Sequence, residues 1–173
     1  MAMIYYDPRW SGQHGIGRFS AEIVQRLGTV SPLHVGVPKV SLLDPIATTL
    51  ALRHLRSGVY FTPGFNAPLR SPIPHVFTVH DLIYLRFPTE STVVRRAYYR
   101  LVVKPATRHA YRVLTNSEHS RGEILEWSGL PAERVSVVGL GVAPIFRPEG
   151  EVHRPGYPYF LFVGRREAHK NLT

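Results

Sequence analysis

Short apolar runs alternate with stretches of helical spacing along this chain, and that alternation predicts a parallel α/β sheet. Met3 to Tyr6 is an apolar run of strand length. After the glycine-punctuated "SGQHGIG", Arg18 to Leu27 sets Phe19, Ile23, Val24 and Leu27 at helical spacing. "LHVGV" reads as a second strand, and Leu42 to Leu55 as a second helix opened by Asp44-Pro45. "VYFTPG" and "HVFTVHD" are the third and fourth strands, joined by the proline-rich "FNAPLRSPIP". The longest helical pattern covers Thr92 to Tyr111, with Pro105 kinking or restarting it. "RVLTNS" is the fifth strand, and "RVSVVGLGV" the sixth. Between them Ser120 and Glu123 fit a capping box that opens a helix to Trp127.

The pattern changes at Pro144. From there to Pro158 four prolines and two glycines stand among few apolar residues, the composition of a linker. "YFLFVG" beyond it reads as a new buried strand. The expected organisation is an α/β domain over 1–143, a linker over 144–158, and over 159–173 the first strand and turn of a second domain, cut short.

Composition narrows the function classes. No run of eighteen apolar residues exists, so no membrane-spanning helix is expected. "MAMIYYDPRW" lacks a basic segment followed by an apolar one, so a cytoplasmic protein is expected. With no cysteine, disulfides and thiol catalysis are excluded. The net charge of +9 suits small-molecule phosphates, anionic lipid or nucleic acid. No zinc-finger or RNA-binding signature is present, so no nucleic-acid partner is expected. The P-loop motif and the Gly-x-Ser-x-Gly elbow are both missing.

Four places could carry chemistry. In "GQHGIGRFS", Gly15 and Gly17 lie between strand and helix, where free amides favour an anion. A tight turn would use the same glycines, and Arg18 could contact an anion or stand in solvent. His80 and Asp81 close the fourth strand, and ligands bind beyond strand carboxyl ends in open α/β sheets. His80 could donate to a sugar hydroxyl or a backbone carbonyl, move a proton, or serve the fold alone; with His75 the pair is a poor metal set, and no metal is expected. Arg96, Arg100, Lys104, Arg108 and Arg112 recur every four residues. That stripe suits anionic lipid head groups or plain solvation, and the first reading adds a peripheral position on the inner face of the cell membrane. In "VGRREAHKNLT", Arg165 and Lys170 could pair with a diphosphate, or form an ordinary basic turn.

Taken in order, these segments resemble the retaining GT-B glycosyltransferases of family 4. "GIGRFSAEIVQRL" is similar to that family's first loop and helix, and "VHDLIYLRFP" to its His-Asp strand end. "VLTNSEHSRGEIL" resembles its Ser-Glu-x-Ser segment, "VVGLGVAPIFRP" its exit from the N-terminal domain, and "YFLFVGRREAHKNL" the opening strand and turn of its C-terminal domain. Leu140, Ala143 and His169 depart from the usual pattern. The resemblance implies an α/β Rossmann-like open parallel sheet flanked by helices, the acceptor-side half of a GT-B fold. It implies sugar transfer from a nucleotide-sugar donor to a lipid-linked, polysaccharide or natural-product acceptor, with no cofactor or metal. Gly15, Gly17, Arg165 and Lys170 would hold the donor phosphates. His80, with Asp81, would sit at the reacting sugar. Arg18, Asn116, Ser117 and Glu118 would form the acceptor-side loops. The family's nucleotide pocket lies outside these 173 residues, so the chain alone is expected to be inactive. The competing reading is a non-catalytic module that binds an anionic ligand or a protein partner.

Overall fold

In the computed structural model, which describes residues 2–150, 153–164 and 170–172, the chain forms two compact units, Met1–Gly139 and Leu140–Thr173. The first holds a six-stranded sheet, all parallel, with β1 (Ile4–Tyr6), β2 (Val30–Pro32), β3 (Val59–Thr62), β4 (His75–Thr78), β5 (Arg112–Thr115) and β6 (Val135–Val137) in the order β2-β1-β3-β4-β5-β6. This is the expected α/β Rossmann-like architecture. Helices connect the strands: α1 (Gly15–Arg26), α2 (Asp44–Leu52), α3 (Ile83–Arg86), α4 (Val93–Tyr98), α5 (Lys104–His109) and α6 (Glu118–Ser128).

Register fixes which side chains share a face. Tyr60 pairs with His75, Phe77 with Val113, and Val113 with Val135, so these residues point to one side of the sheet. There Phe77, Val113 and Val135 pack with Tyr98, Tyr99, Val103, Ala106 and Ile124. Tyr60 packs with Leu33, Leu52 and Ile73. Helices α2, α4, α5 and α6 therefore lie on this face. The right-handed rule for parallel crossovers puts α1 on the other.

The long helical pattern runs from the Thr92 cap, whose hydroxyl accepts the Arg95 amide at 3.1 Å, to His109. Pro105 neither breaks nor restarts it. A π-helical turn over Tyr99–Val103 widens the helix just before the proline, which is where a missing N–H can be absorbed.

Several local expectations change. The second strand is Val30–Pro32 rather than "LHVGV", because β1 offers three paired residues and its ladder ends as the Leu33 amide donates to Tyr6. The sixth strand is three residues, ending at Val137. Helix α1 starts at Gly15, three residues early, since the His14 side chain accepts the Gly17 amide at 3.0 Å and caps it. Ser117, not Ser120, caps α6, accepting the Ser120 amide at 3.1 Å. Tyr159–Val163 is not paired as a strand, and Phe160, Leu161 and Val163 are exposed. A single extended segment has no ladder partner to hold it.

Candidate functional site

Parallel strands bring their carboxyl ends, and the loops that follow, to one edge of the sheet. At that edge β1 leads to the cap of α1, β3 to Pro63, β4 to His80 and Asp81, and β5 to Asn116, Ser117 and Glu118. His80 is the residue most completely fixed there. Its Nε2 lies 2.9 Å from the Pro63 carbonyl, and its ring stands edge-on to Phe19 of α1, centroids 5.0 Å apart. A carbonyl only accepts, so Nε2 carries the proton and Nδ1 of the neutral ring is the acceptor. Burial lowers the pKa of His80, against the Pro63 bond and the Asp81 charge, so the ring is neutral near pH 7. The Thr115 hydroxyl donates to the His80 carbonyl at 3.4 Å, tying this residue to β5.

Asp81 is turned elsewhere. Its Oδ1 accepts the Ile83 amide at 3.1 Å and so starts α3. Gly17 lies so close to Gly12 that a Cβ would stand 2.0 Å from the Gly12 carbonyl oxygen, whereas Gly15 faces open space. Among the described residues the Gly15 and Ile16 amides at the start of α1 have no acceptor. Arg18 pairs with Glu22 at 2.8 Å, along the helix rather than across its N-terminus. Ser117 is occupied by the α6 cap, and Glu118 is exposed beside Arg121.

The basic stripe is shorter than its spacing suggests. Arg112 belongs to β5, where its guanidinium donates to the Glu133 carbonyl at 2.8 Å and the Ser136 hydroxyl at 3.0 Å. Arg96, Arg100, Lys104 and Arg108 remain on the α4–α5 helix, away from His80. Lys104 lies over the Trp127 ring, 5.9 Å from its centroid. Lys170 is exposed in the second unit, and Arg165 lies outside the described residues. Among the described residues no group of three His, Asp or Glu side chains is placed to hold a metal ion, and no helix is long and apolar enough to cross a membrane.

One cluster escaped sequence reasoning. Arg9 sits between two fully buried carboxylates, 2.6 Å from Asp7 Oδ2 and 2.6 Å from Asp44 Oδ1. It also donates to the Val37 carbonyl at 2.9 Å. Asn66 donates to Asp7 at 2.7 Å and accepts the Trp10 indole N–H. Tyr98 donates to Asp44 Oδ2 at 3.3 Å. Burial opposes the Arg9 charge, but bonds to Asp7 and Asp44 more than offset it and raise its pKa. Burial and the Asp44 charge likewise raise the pKa of Tyr98. The only sequence signal was Asp44-Pro45 as a helix start, which says nothing of a partner 35 residues away. The cluster pins the β1 exit to α2 and α4, and so holds the edge of the sheet beside the α1 cap.

Comparison with known proteins adds two findings. The model of Glycosyltransferase Family 4 matches residues 8–144. The chain is 26% identical over 140 residues to the O-antigen chain mannosyltransferase B of Escherichia coli, a match that covers 76% of this chain and 36% of that protein. The chain thus spans little more than a third of the relative's length.

Proposed function

The chain belongs to glycosyltransferase family 4, and from that premise we propose that it forms the acceptor-side half of a retaining enzyme using a nucleotide-sugar donor. The acceptor is a saccharide, a lipid-linked glycan or a natural product. Since the chain spans 36% of its mannosyltransferase relative, the reaction is assigned to the whole protein that carries it. The observation that supports this reading best is His80, held in place at the carboxyl edge of the sheet by Pro63 and Phe19 and kept neutral by burial. A fixed neutral imidazole there can bond a hydroxyl of the transferred sugar without adding charge at the anomeric carbon.

In the reaction the acceptor oxygen bonds to the anomeric carbon as the bond to the diphosphate breaks. The acceptor proton passes to the departing phosphate oxygen, so no protein base is assigned. The open amides at Gly15 and Ile16 supply donors for phosphate. Arg165 and Lys170 neutralise the leaving group on the family resemblance of their turn. The relative's name makes a mannose donor the first to test.

The test uses the protein that carries this chain and a panel of nucleoside-diphosphate sugars, mannose first, with release of nucleoside diphosphate as the readout. His80→Ala is expected to lower turnover about a hundredfold, well beyond the modest loss of melting temperature that its lost packing on Phe19 entails, while the protein stays folded at the assay temperature. Full activity in that variant, or no turnover with any donor, overturns the proposal.

A further inference from the structure

Residues 63–68, the loop that leaves β3, are all buried and join no ladder, so side chains must satisfy its polar groups. Thr62 and Asn66, themselves fully buried, do so. The Thr62 hydroxyl shares its proton between the Gly64 carbonyl at 3.2 Å and the Asn66 carbonyl at 3.0 Å. The Asn66 side chain reaches two groups beyond β1: Nδ2 donates to Asp7 at 2.7 Å, and Oδ1 accepts the Trp10 indole N–H. A carboxylate only accepts and an indole N–H only donates, so the amide faces them in one sense alone. Trp10 also presses on the loop itself. A Cβ on Gly64 would stand 2.2 Å from the indole ring, and Phe65 meets that ring edge-on with centroids 5.2 Å apart.

Pro63 heads this loop. Its ring fixes φ and removes the N–H, so the carbonyl is its one polar group. That carbonyl accepts the Nε2–H of His80 at 2.9 Å. The side chains that fix the loop therefore also fix the acceptor of the imidazole. A line of contacts runs from Arg9 through Asp7 to Asn66, then back along the chain to Pro63 and across to His80. It ends on a ring whose Nδ1 makes no hydrogen bond among the described residues.

We propose that Asn66 is a positioning residue for His80. Clamped between Asp7 and Trp10, it holds the Pro63 carbonyl where it takes the imidazole N–H, and so leaves Nδ1 as the acceptor offered to a substrate hydroxyl. Asn66 acts through the ring and not on the reacting atoms. The amide is specific to the place: leucine would fill the same space but leave Asp7 without one donor and the indole N–H unpaired. Aspartate would set a second carboxylate against Asp7. The inference rests on the transferase reading for what His80 does to substrate; the hold on the ring is a property of the folded protein by itself.

The test uses the protein that carries this chain, with its histidine rings labelled with nitrogen-15. His80 is expected to give a ring Nε2–H signal protected from exchange near pH 7, identified by its loss in His80→Ala. Asn66→Ala should broaden that signal beyond detection. Trp10→Phe, which keeps a ring against Phe65 but removes the bond to Asn66, should weaken it. Tyr98→Phe, at the far end of the same cluster, should leave it intact, which separates loss of position from loss of stability. With a nucleoside-diphosphate mannose as donor, Asn66→Ala is expected to lower kcat about tenfold and to change KM less than about twofold. In the His80→Ala background it should cost nothing further, because the ring it acts through is gone. A protected ring signal in Asn66→Ala, or kinetic losses that multiply in the double variant, overturns the proposal. If Asn66→Ala does not fold, Trp10→Phe decides: an unchanged signal there overturns it as well. If no donor is turned over, the transferase reading fails, and the ring signal still decides whether Asn66 holds His80.

Discussion

The imidazole of His80 stands at a right angle to the ring of Phe19, with 88° between the ring planes. One ring follows β4 by two residues and the other belongs to α1, 61 positions earlier in the chain. Phe19 thus walls the imidazole on one side, while the Pro63 carbonyl holds its N–H. Removing Phe19 should loosen both the packing and the electrostatics. Phe19→Ala is expected to cost about 3 kcal/mol in urea unfolding. It should also raise the His80 pKa toward its ordinary value, as followed by NMR titration, since burial is what lowers it. An unshifted titration would mean that the burial comes from elsewhere.

His75 makes acid stability a readout of the core. Burial lowers its pKa from 6.5 to about 3, and among the described residues its Nε2 has no hydrogen-bond partner. Below pH 6.5 the unfolded chain gains a proton that the folded chain refuses, so stability falls as pH drops from 6.5 toward 3. The loss is on the order of 4 kcal/mol at the acid end. His75→Phe, which keeps the stack on Phe77, should flatten that part of the pH–stability curve and leave stability at pH 7 unchanged or higher.

The Arg9 cluster should be asymmetric to mutation. Arg9→Met leaves Asp7 and Asp44 buried without their cation, and is expected to cost about 3–5 kcal/mol. Tyr98→Phe removes one bond to Asp44, which keeps Arg9 and Thr48, and should cost about 1 kcal/mol. Equilibrium urea denaturation at pH 7 separates the two.

The two glycines of the first turn should part company. A Cβ on Gly17 meets backbone at 2.0 Å, so Gly17→Ala is expected to destabilise by at least about 2 kcal/mol or to displace the 11–14 loop. Gly15→Ala meets nothing and should be neutral or stabilising by about half a kcal/mol. Thermal melts of the two variants decide it.

Over the first unit the sequence by itself determined the order and type of the six strands, though not the unpaired segment at Tyr159–Val163. The apolar runs before "TPG", "TVHD" and "TNS" became β3, β4 and β5, because a strand buried in a parallel sheet must be apolar whatever its neighbours are. The same pattern put His80 at a strand end, hence at the ligand edge. What followed from contacts far along the chain stayed hidden. The length of β2 was set by β1, and the fate of Pro105 by a π turn that the helical period does not announce. Arg112 looked like the end of a helical stripe until β5 claimed it. Asp7, Asp44 and Asn66 read as ordinary polar residues, yet folding buries all three around Arg9, across 35 to 59 positions of chain. Periodicity reports the face a residue turns along its own element. Only tertiary structure decides which charges meet there, because a buried ion pair exists where two distant segments exclude water together.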